Sequence, residues 1–516
     1  MKAISPEQSS KLKVLVQKNS AFKSAVNKNL ILAVDWDKAA KLVPKVLKAY
    51  SLDSLGSFFA EALARSAKED GAKESFAKIQ LASGPESTLR VILVPKKVAA
   101  FDRDEFLRKN LSDLFLLERE QVEIFLACQG LAASPTAEMI ERIVLLAELS
   151  GWTEPCYKKE AGKRPRIALD VLVDASAKGL EQSIDRAQKL GQAMNLVRTL
   201  ADTPANELNP GQYRKKIDSL AKTHKLKVDV WDRKKLTSLG AGSFLAVVRG
   251  ELESDAAIVK ISYSGKGASK TKQKTVSLVG KGLCFDTGGH NLKTSHMNGM
   301  HRDMTGSALA LALVILCAEL ELPIKVDAYL AIAENYLSPT AYKCNEVVRA
   351  ANGTTIEVVD TDAEGRMVLA DTLHFASSEQ PDLLLDFATL TGSVMRALDT
   401  RRSGVYSRDL KLSQKAVVVG EECGERLWNF PIEGDYKKEL KSDIADILQC
   451  REKPNADHIY AATFLAHFVK KDVPWLHVDL AASSNGGGLG LVATETTAFG
   501  VQWALKMIVS HLAIKV

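Results

Sequence analysis

Asp362, Glu364 and Arg366 alternate along Val359-Asp360-Thr361-Asp362-Ala363-Glu364-Gly365-Arg366, directly after the stretch 354–359. In an extended segment every second side chain points to the same side, so two carboxylates and a guanidinium are expected to converge there. Acids that close repel, and one pKa rises unless a cation or a proton sits between them. Read alone, the octapeptide is also compatible with a solvated acidic turn at a strand end.

A second cluster lies upstream, in Leu278-Val279-Gly280-Lys281-Gly282-Leu283-Cys284-Phe285-Asp286-Thr287-Gly288-Gly289. This is a β-like run that ends in glycines and puts Lys281 and Asp286 at the end of a strand. Lys293 follows, then Met300-His301-Arg302-Asp303 at the start of a long helical stretch. In open α/β sheets ligands bind outside the carboxyl ends of strands, so both clusters are expected at one rim. Asp286, Asp303, Asp362 and Glu364 would supply oxygens for two divalent ions about 3.5–4 Å apart, an arrangement that activates water. Beside two cations a lysine tends to lose its proton, and Lys281 could then be a neutral nitrogen ligand.

The elements that must hold these residues alternate between the strand and helix periods. Up to about residue 175 the strand-like runs are 30–34, 89–94 and 166–173, and the helical ones 37–50, 104–117 and 136–149. This predicts an N-terminal α/β domain over 1–175, with the basic stretch 157–166 as an exposed boundary loop. A helix over 183–200 leads into a larger C-terminal domain over 176–516. There, strands near 227–230, 256–262, 276–280, 324–332, 355–359 and 383–387 alternate with helices. That pattern predicts a doubly wound, mainly parallel, helix-flanked sheet.

The 516 residues, 46% hydrophobic and 26% charged, describe an ordinary globular chain of two or more domains. A net charge of +6 is small beside 69 basic and 63 acidic residues and gives no case for a nucleic-acid partner. Seven cysteines without CxxC pairs point to a reducing compartment rather than a disulfide framework. Residues 1–17 lack the apolar core of a signal peptide. The most apolar run, 308–318, is shorter than the roughly 20 residues a membrane helix needs, so it reads as a buried helix. A soluble, cytoplasmic protein with no membrane segment is expected. Gly280-Lys281-Gly282 has the wrong offsets for a dinucleotide turn, and the glycines of 486–490 lack a phosphate-loop lysine. His290, His296 and His301 read as bystanders and Cys284 as a packed small residue.

These motifs resemble the leucine aminopeptidase (cytosol aminopeptidase) family, whose hallmark is Asn-Thr-Asp-Ala-Glu-Gly-Arg. Thr361–Arg366 match it, with Asp360 in place of the asparagine. The segments 279–289, 300–303, Asp386-Phe387-Ala388-Thr389-Leu390-Thr391-Gly392, Asp202-Thr203-Pro204-Ala205-Asn206-Glu207 and Trp475-Leu476-His477-Val478-Asp479 match as well. The resemblance covers residues 180–510; the first 165 residues match only loosely. A second departure is Ala482, where the family commonly has glycine.

The resemblance implies a metal-dependent aminopeptidase acting on peptides with a free N-terminus, with leucine, methionine or another apolar residue removed. Lys281, Asp286, Asp303 and Glu364 would hold the tighter metal. Asp286, Asp362 (side chain and carbonyl) and Glu364 would hold the more exchangeable one, with a hydroxide bridging the two ions. Zinc or manganese comes first for these ions, then magnesium or cobalt. Lys293 would stabilise the oxyanion, and Arg366 would hold a bicarbonate acting as general base. Met300, Thr389, Leu390 and Gly392 would shape the pocket for the first side chain. A homohexamer is also implied. The alternative reading is a DNA-binding or scaffolding hexamer with peptidase activity secondary.

Overall fold

The computed structural model describes residues 12–18, 29–49, 55–68, 75–84, 87–115, 121–129, 133–159, 166–173, 179–251, 253, 255–265, 273–452 and 454–514. Residues 1–11 of the polar opening stretch, 160–165 of the basic boundary loop and the end of the helix expected over 104–117 lie outside them. The chain divides into two compact units, one comprising Met1–Gln192 with Gly488–Ala493, the other Ala193–Gly487 with Thr494–Val516. The sequence places its boundary at 175/176, whereas these units divide inside the helix Leu180–Ala201.

The first unit is built on six strands: β1 (Lys13–Lys18), β2 (Asn29–Asp35), β3 (Ala77–Gly84), β4 (Ser87–Val94), β5 (Gln121–Gln129) and β6 (Arg166–Val173). Their order is β1-β6-β5-β2-β4-β3, parallel throughout except the β3–β4 edge pair. The near-continuous apolar run of β2 reflects its central place, with Leu30 to Val34 all buried. The expected helices appear as Trp36–Ala49, Ala100–Phe115 and Ala133–Ser150.

The second unit carries an eight-stranded sheet and a small three-stranded one. In chain order its strands are β7 (Lys227–Asp232), β8 (Ala257–Ser264), β9 (Thr275–Asp286), β10 (Lys325–Asn335), β11 (Val347–Arg349), β12 (Thr355–Glu357), β13 (Leu383–Ala388), β14 (Ser403–Tyr406), β15 (Leu427–Phe430), β16 (Ile447–Leu448) and β17 (Trp475–Asp479). The large sheet runs β15-β14-β17-β13-β9-β10-β8-β7. Its four central strands, β17, β13, β9 and β10, are mutually parallel, and antiparallel pairs flank them. Four carboxyl ends therefore open on one rim.

Helix Thr305–Glu319 lies against β8, β9, β10 and β13. It is buried from Thr305 to Cys317, which explains its lack of a polar face. By length and composition Met300–Glu319 is apolar enough to cross a membrane, but 83% of its most apolar window is buried inside the protein. Close approach to β9 is made by glycines: a Cβ on Gly280 would come 2.4 Å from the Gly306 carbonyl oxygen. Helix Glu364–Ser378 also packs on β9, β10 and β13. A Cβ on its Gly365 would meet the end of the Lys281 side chain, so Lys281 faces this helix while Gly280 and Gly282 face the other.

Strand β9 runs through Gly280 and Gly282 to Asp286, past the apolar run 276–280 and with Asp286 at the strand end, as its motif suggests. Between Leu283 and Asp286 it has two residues where β10 has one, with Ala333 opposite Leu283 and Asn335 opposite Asp286. Strict alternation over the five positions from Lys281 to Asp286 would send the two side chains to opposite faces. The extra residue restores the parity and brings both to one side.

The glycine contact between helix and sheet gives the first testable expectation. A Cβ on Gly306 would lie 2.1 Å from the Phe387 carbonyl oxygen, a backbone atom with no freedom to swing away. Gly306→Ala should cost about 1–3 kcal/mol through overpacking. A thermal melt with an unchanged midpoint would show that the helix and β13 are not in rigid contact.

Candidate metal centre

The rim of the central strands gathers the predicted acids. Asp286 ends β9, Asn335 ends β10, Thr389 and Leu390 follow β13, and Asp479 ends β17. Asp303 directly follows the 3-10 turn Met300–Arg302. Asp362 and Glu364 are not on an extended segment, contrary to the alternation argument. Strand β12 stops at Glu357, residues 361–362 form a turn, and Glu364 is the first residue of a helix. Arg366 therefore lies on the helix and points to Asp457 and Gln449 rather than joining the carboxylates.

One donor oxygen each from Asp286, Asp362 and Glu364 lies within 4.8 Å of the others. Lys281 Nζ is 2.8 Å from Asp303 and 2.9 Å from Glu364, which ties Asp303 to this group. Lys293 Nζ is 2.7 Å from Asp286 and 2.5 Å from Asp362. All of these residues are buried except Lys293 and Asp362, which are partly so. Asp303 Oδ2 and Asp362 Oδ1 meet only an ammonium across an ion pair and accept no hydrogen bond.

The electrostatics are those of an acid cluster short of positive charge. Burial and then the Asp286 charge push Glu364 up to about 8 and Asp362 up to about 6. Burial raises Asp303 as well. For Lys281, burial favours loss of the proton, but Asp303, Glu364 and Asp286 outweigh it and hold the ammonium above its ordinary value. Lys293 is held up in the same way by Asp286, Glu364 and Asp362. Two ammoniums do not balance four carboxylates, and the unneutralised neighbours add to the larger effect of burial on Asp362 and Glu364. Carboxylate oxygens with an amine nitrogen at buried, converging positions are a donor set for divalent cations.

Several residues to which the sequence reading gave no role hold the cluster in shape. Asn335 is fully buried, and its Nδ2 donates to Asp286 Oδ1 at 2.8 Å and the Thr361 carbonyl at 3.0 Å, with Glu364 Oε2 at 3.5 Å. The only hint of it in the sequence was an amide closing an apolar strand. Thr361 binds the Gly288 carbonyl and accepts from Asn291 N, fastening the acidic turn to the glycine loop. Gln449 accepts from the N–H groups of Val359 and Asp360 and donates to the Ala363 carbonyl.

Asp360 Oδ1 accepts from the Asp362 N–H at 2.8 Å. An asparagine oxygen would make the same bond, so this departure preserves the turn and adds only charge. Ala482 lies in the 3-10 turn Ala481–Ser483, where its N–H donates to Ser403 Oγ.

Thr389 Oγ1 donates to Asp303 at 2.7 Å, and its carbonyl lies 3.2 Å from Lys281 Nζ, so Thr389 braces the acids as well as following β13. Leu390 N–H donates to Asp479, Gly392 opens the helix Gly392–Leu398, and Met300 is half-buried three residues before Asp303. His290 and His296 are exposed and His301 half-buried; none belongs to the acid cluster.

Comparison with known proteins gives a consistent picture. Residues 195–505 match the family model described as "Cytosol aminopeptidase family, catalytic domain". A probable cytosol aminopeptidase of Leifsonia xyli is 37% identical over 345 residues, covering 65% of this chain and 68% of the relative. One from Clavibacter michiganensis is 35% identical over 395 residues, covering 73% and 78%. In fold, the chain is similar to a point mutant of tomato leucine aminopeptidase, with a TM-score of 0.80, 24% identity and 98% of both chains covered.

The role of Asn335 can be tested without any substrate. Removing the amide in Asn335→Ala frees two carboxylates from a common donor and should weaken divalent-ion affinity about 10–100-fold, the usual cost of losing an outer-shell partner. Chelator competition measures this directly. Unchanged affinity would mean that Asn335 serves the fold alone.

Proposed function

Because the chain belongs to the cytosol aminopeptidase family, whose members are metal-dependent, we propose that this aminopeptidase uses a dinuclear metal site and prefers apolar N-terminal residues. The observation that carries the proposal is the buried cluster of Asp286, Asp303, Asp362 and Glu364 around Lys281 and Lys293, in which burial and then neighbouring negative charge raise Asp362 and Glu364. The catalytic work belongs to the domain expected over 176–516.

The donor set fits two divalent ions. Lys281, Asp286, Asp303 and Glu364 would hold one, and Asp286, Asp362 and Glu364 the other, with zinc or manganese ahead of magnesium or cobalt. Bound there, divalent ions supply Lewis acidity that activates water and polarises a carbonyl. Lys281 would have to give up its proton to become a ligand, a change that neighbouring cations favour. Lys293, whose ammonium lies close to Asp286 and Asp362, would donate to the scissile carbonyl oxygen as negative charge develops on it. Such preorganised donors are usually the largest catalytic contribution. The substrate's free α-amine would add a neutral nitrogen donor to this set, which supports removal of a single N-terminal residue. Assembly as a homohexamer and a cytoplasmic location are part of the same reading, the location supported by the naming of the relatives.

A bicarbonate on Arg366 stays part of this reading: the guanidinium meets Asp457 through NH2 at 2.7 Å, while its buried Nε has no hydrogen-bond partner among the described residues. No step is assigned to it.

Metal removal tests the dinuclear site. Chelation should abolish hydrolysis of leucyl-p-nitroanilide, and reloading should restore it at two ions per chain. Glu364→Ala, which removes a ligand shared by both ions, should leave almost no turnover; full turnover in that variant would end the assignment.

Specificity rests on Met300 and the segment Thr389 to Gly392. A flexible methionine adapts to leucyl or methionyl side chains, which gain by leaving water. An acidic side chain would lose hydration with no cation to meet it, since Lys293 and Arg366 are engaged with carboxylates. kcat/KM for a leucyl substrate should exceed that for its glutamyl counterpart at pH 8. A glutamyl preference would mean that a cation such as His290 lines the pocket.

A further inference from the structure

Strand β17 holds its neighbour β13 through side chains as well as through the ladder. Trp475, His477 and Asp479 alternate along β17, so all three side chains point to one face. Trp475 Nε1 donates to Asp386 Oδ2 at 2.6 Å and His477 Nδ1 pairs with Asp386 Oδ1 at 2.6 Å, so two of them grip the middle of β13. The third reaches past its end. Asp479 stands opposite Ala388, the last residue of β13, and the Leu480 N–H closes the ladder on the Ala388 carbonyl at 2.8 Å. Residues 389–391 lie beyond that bond, and the buried Asp479 carboxylate takes the place of a strand partner for them. Its Oδ1 accepts from the N–H groups of Leu390 at 3.0 Å and Thr391 at 3.4 Å, and its Oδ2 from Thr391 Oγ1 at 2.7 Å. Hydrogen bonds to an ionised acceptor are the strong ones.

Thr389 lies between the last ladder bond and this anchor. Its Oγ1 donates to Asp303 Oδ1 at 2.7 Å, and its carbonyl accepts from Lys281 Nζ at 3.2 Å. We infer that Asp479 is a positioning residue of the metal centre, setting Asp303 and Lys281 through Thr389. The inference rests on the dinuclear reading above, in which Asp303 and Lys281 serve one ion only, Asp362 the other, and Asp286 and Glu364 both. A deprotonated Lys281 keeps two N–H bonds, and the fixed Thr389 carbonyl takes one of them, which gives the lone pair a defined direction. Asp479 hydrogen-bonds neither Asp286, Asp362 nor Glu364; among the described residues its hydrogen bonds all come from 390–391. Its removal therefore acts on one ion and spares the other.

Zinc affinity, measured by chelator competition on the full-length protein, tests this without any substrate. Asp362→Ala removes a ligand of the second ion and leaves the ion of Asp303 and Lys281 to be titrated; Asp303→Ala does the reverse. Asp479→Ala should weaken zinc binding about 10–100-fold in the Asp362→Ala background, the usual cost of losing an outer-shell partner. In the Asp303→Ala background it should change binding by less than about twofold, since sites without shared partners are nearly independent. Asp479→Asn keeps an accepting oxygen for the two N–H groups and should restore most of the affinity. A fall of equal size in both backgrounds, or none in either, would overturn the inference.

Should Asp479→Ala fail to fold, Thr391→Val carries the same decision. It removes the bond to Asp479 Oδ2 while keeping the side-chain shape. Zinc binding should then weaken about 2–10-fold, the worth of one hydrogen bond, and in the Asp362→Ala background only. A wild type that binds a single zinc ion per chain would defeat the dinuclear reading instead. On that single ion, the double-mutant cycle of Asp479→Ala with Thr389→Val would still decide the inference: coupled losses support it, and additive ones overturn it.

Discussion

Four carboxylates confined at the end of a parallel sheet repel one another, and much of the second unit's local architecture manages that repulsion. Water cannot do so, because Asp286, Asp303 and Glu364 are buried. Two lysines do it in part, each bridging a different pair of acids. Burial, and after it the charge of Asp286, push Glu364 up to about 8 and Asp362 up to about 6. A structural ion-pair network would be expected to reach neutrality, since buried unpaired charge is expensive. A network that stops short of it offers converging donor oxygens to a cation.

Bringing the acids together demands backbone arrangements that look unrelated to chemistry. Gly280 and Gly306 let a helix touch β9 on one face, and Gly365 lets another helix begin directly over Lys281 on the opposite face. The extra residue before Asp286 then turns that carboxylate to the same side as Lys281. Asn335, at the matching position of β10, ties the result to Thr361. The arrangement is interdependent: the bulge without the amide leaves Asp286 to the Gly288 N–H and Lys293 alone, and the amide without the bulge has no acid to hold.

Much of this was legible in the sequence because it is local. Continuous apolar runs gave β2, β9, β10 and β13, and the motif of acids, lysines and glycines marked the rim to which they lead. The misjudged parts depend on contacts between distant segments. Alternation suggested an extended Asp362-Ala363-Glu364-Gly365-Arg366, but Gln449 and Asn291 tie the preceding residues into a turn and the helix starts at Glu364. Periodicity marked a shorter β9, because glycines weaken the strand signal even where a neighbouring helix requires them. Asn335 was invisible because its partners lie 49, 26 and 29 residues away.

The helical start at Glu364 also separates two charges that alternation would have placed side by side. Glu364 faces Lys281, while Arg366, two residues further along a helical turn, is directed to Gln449 and Asp457. On a strand the guanidinium would have joined the carboxylates and neutralised part of their excess without any metal. On the helix it stays available to a separate anion. The same local turn therefore leaves the acid cluster short of cations and creates a second, cationic seat beside it. In this chain the carboxylate at that seat comes from the first residue of another helix.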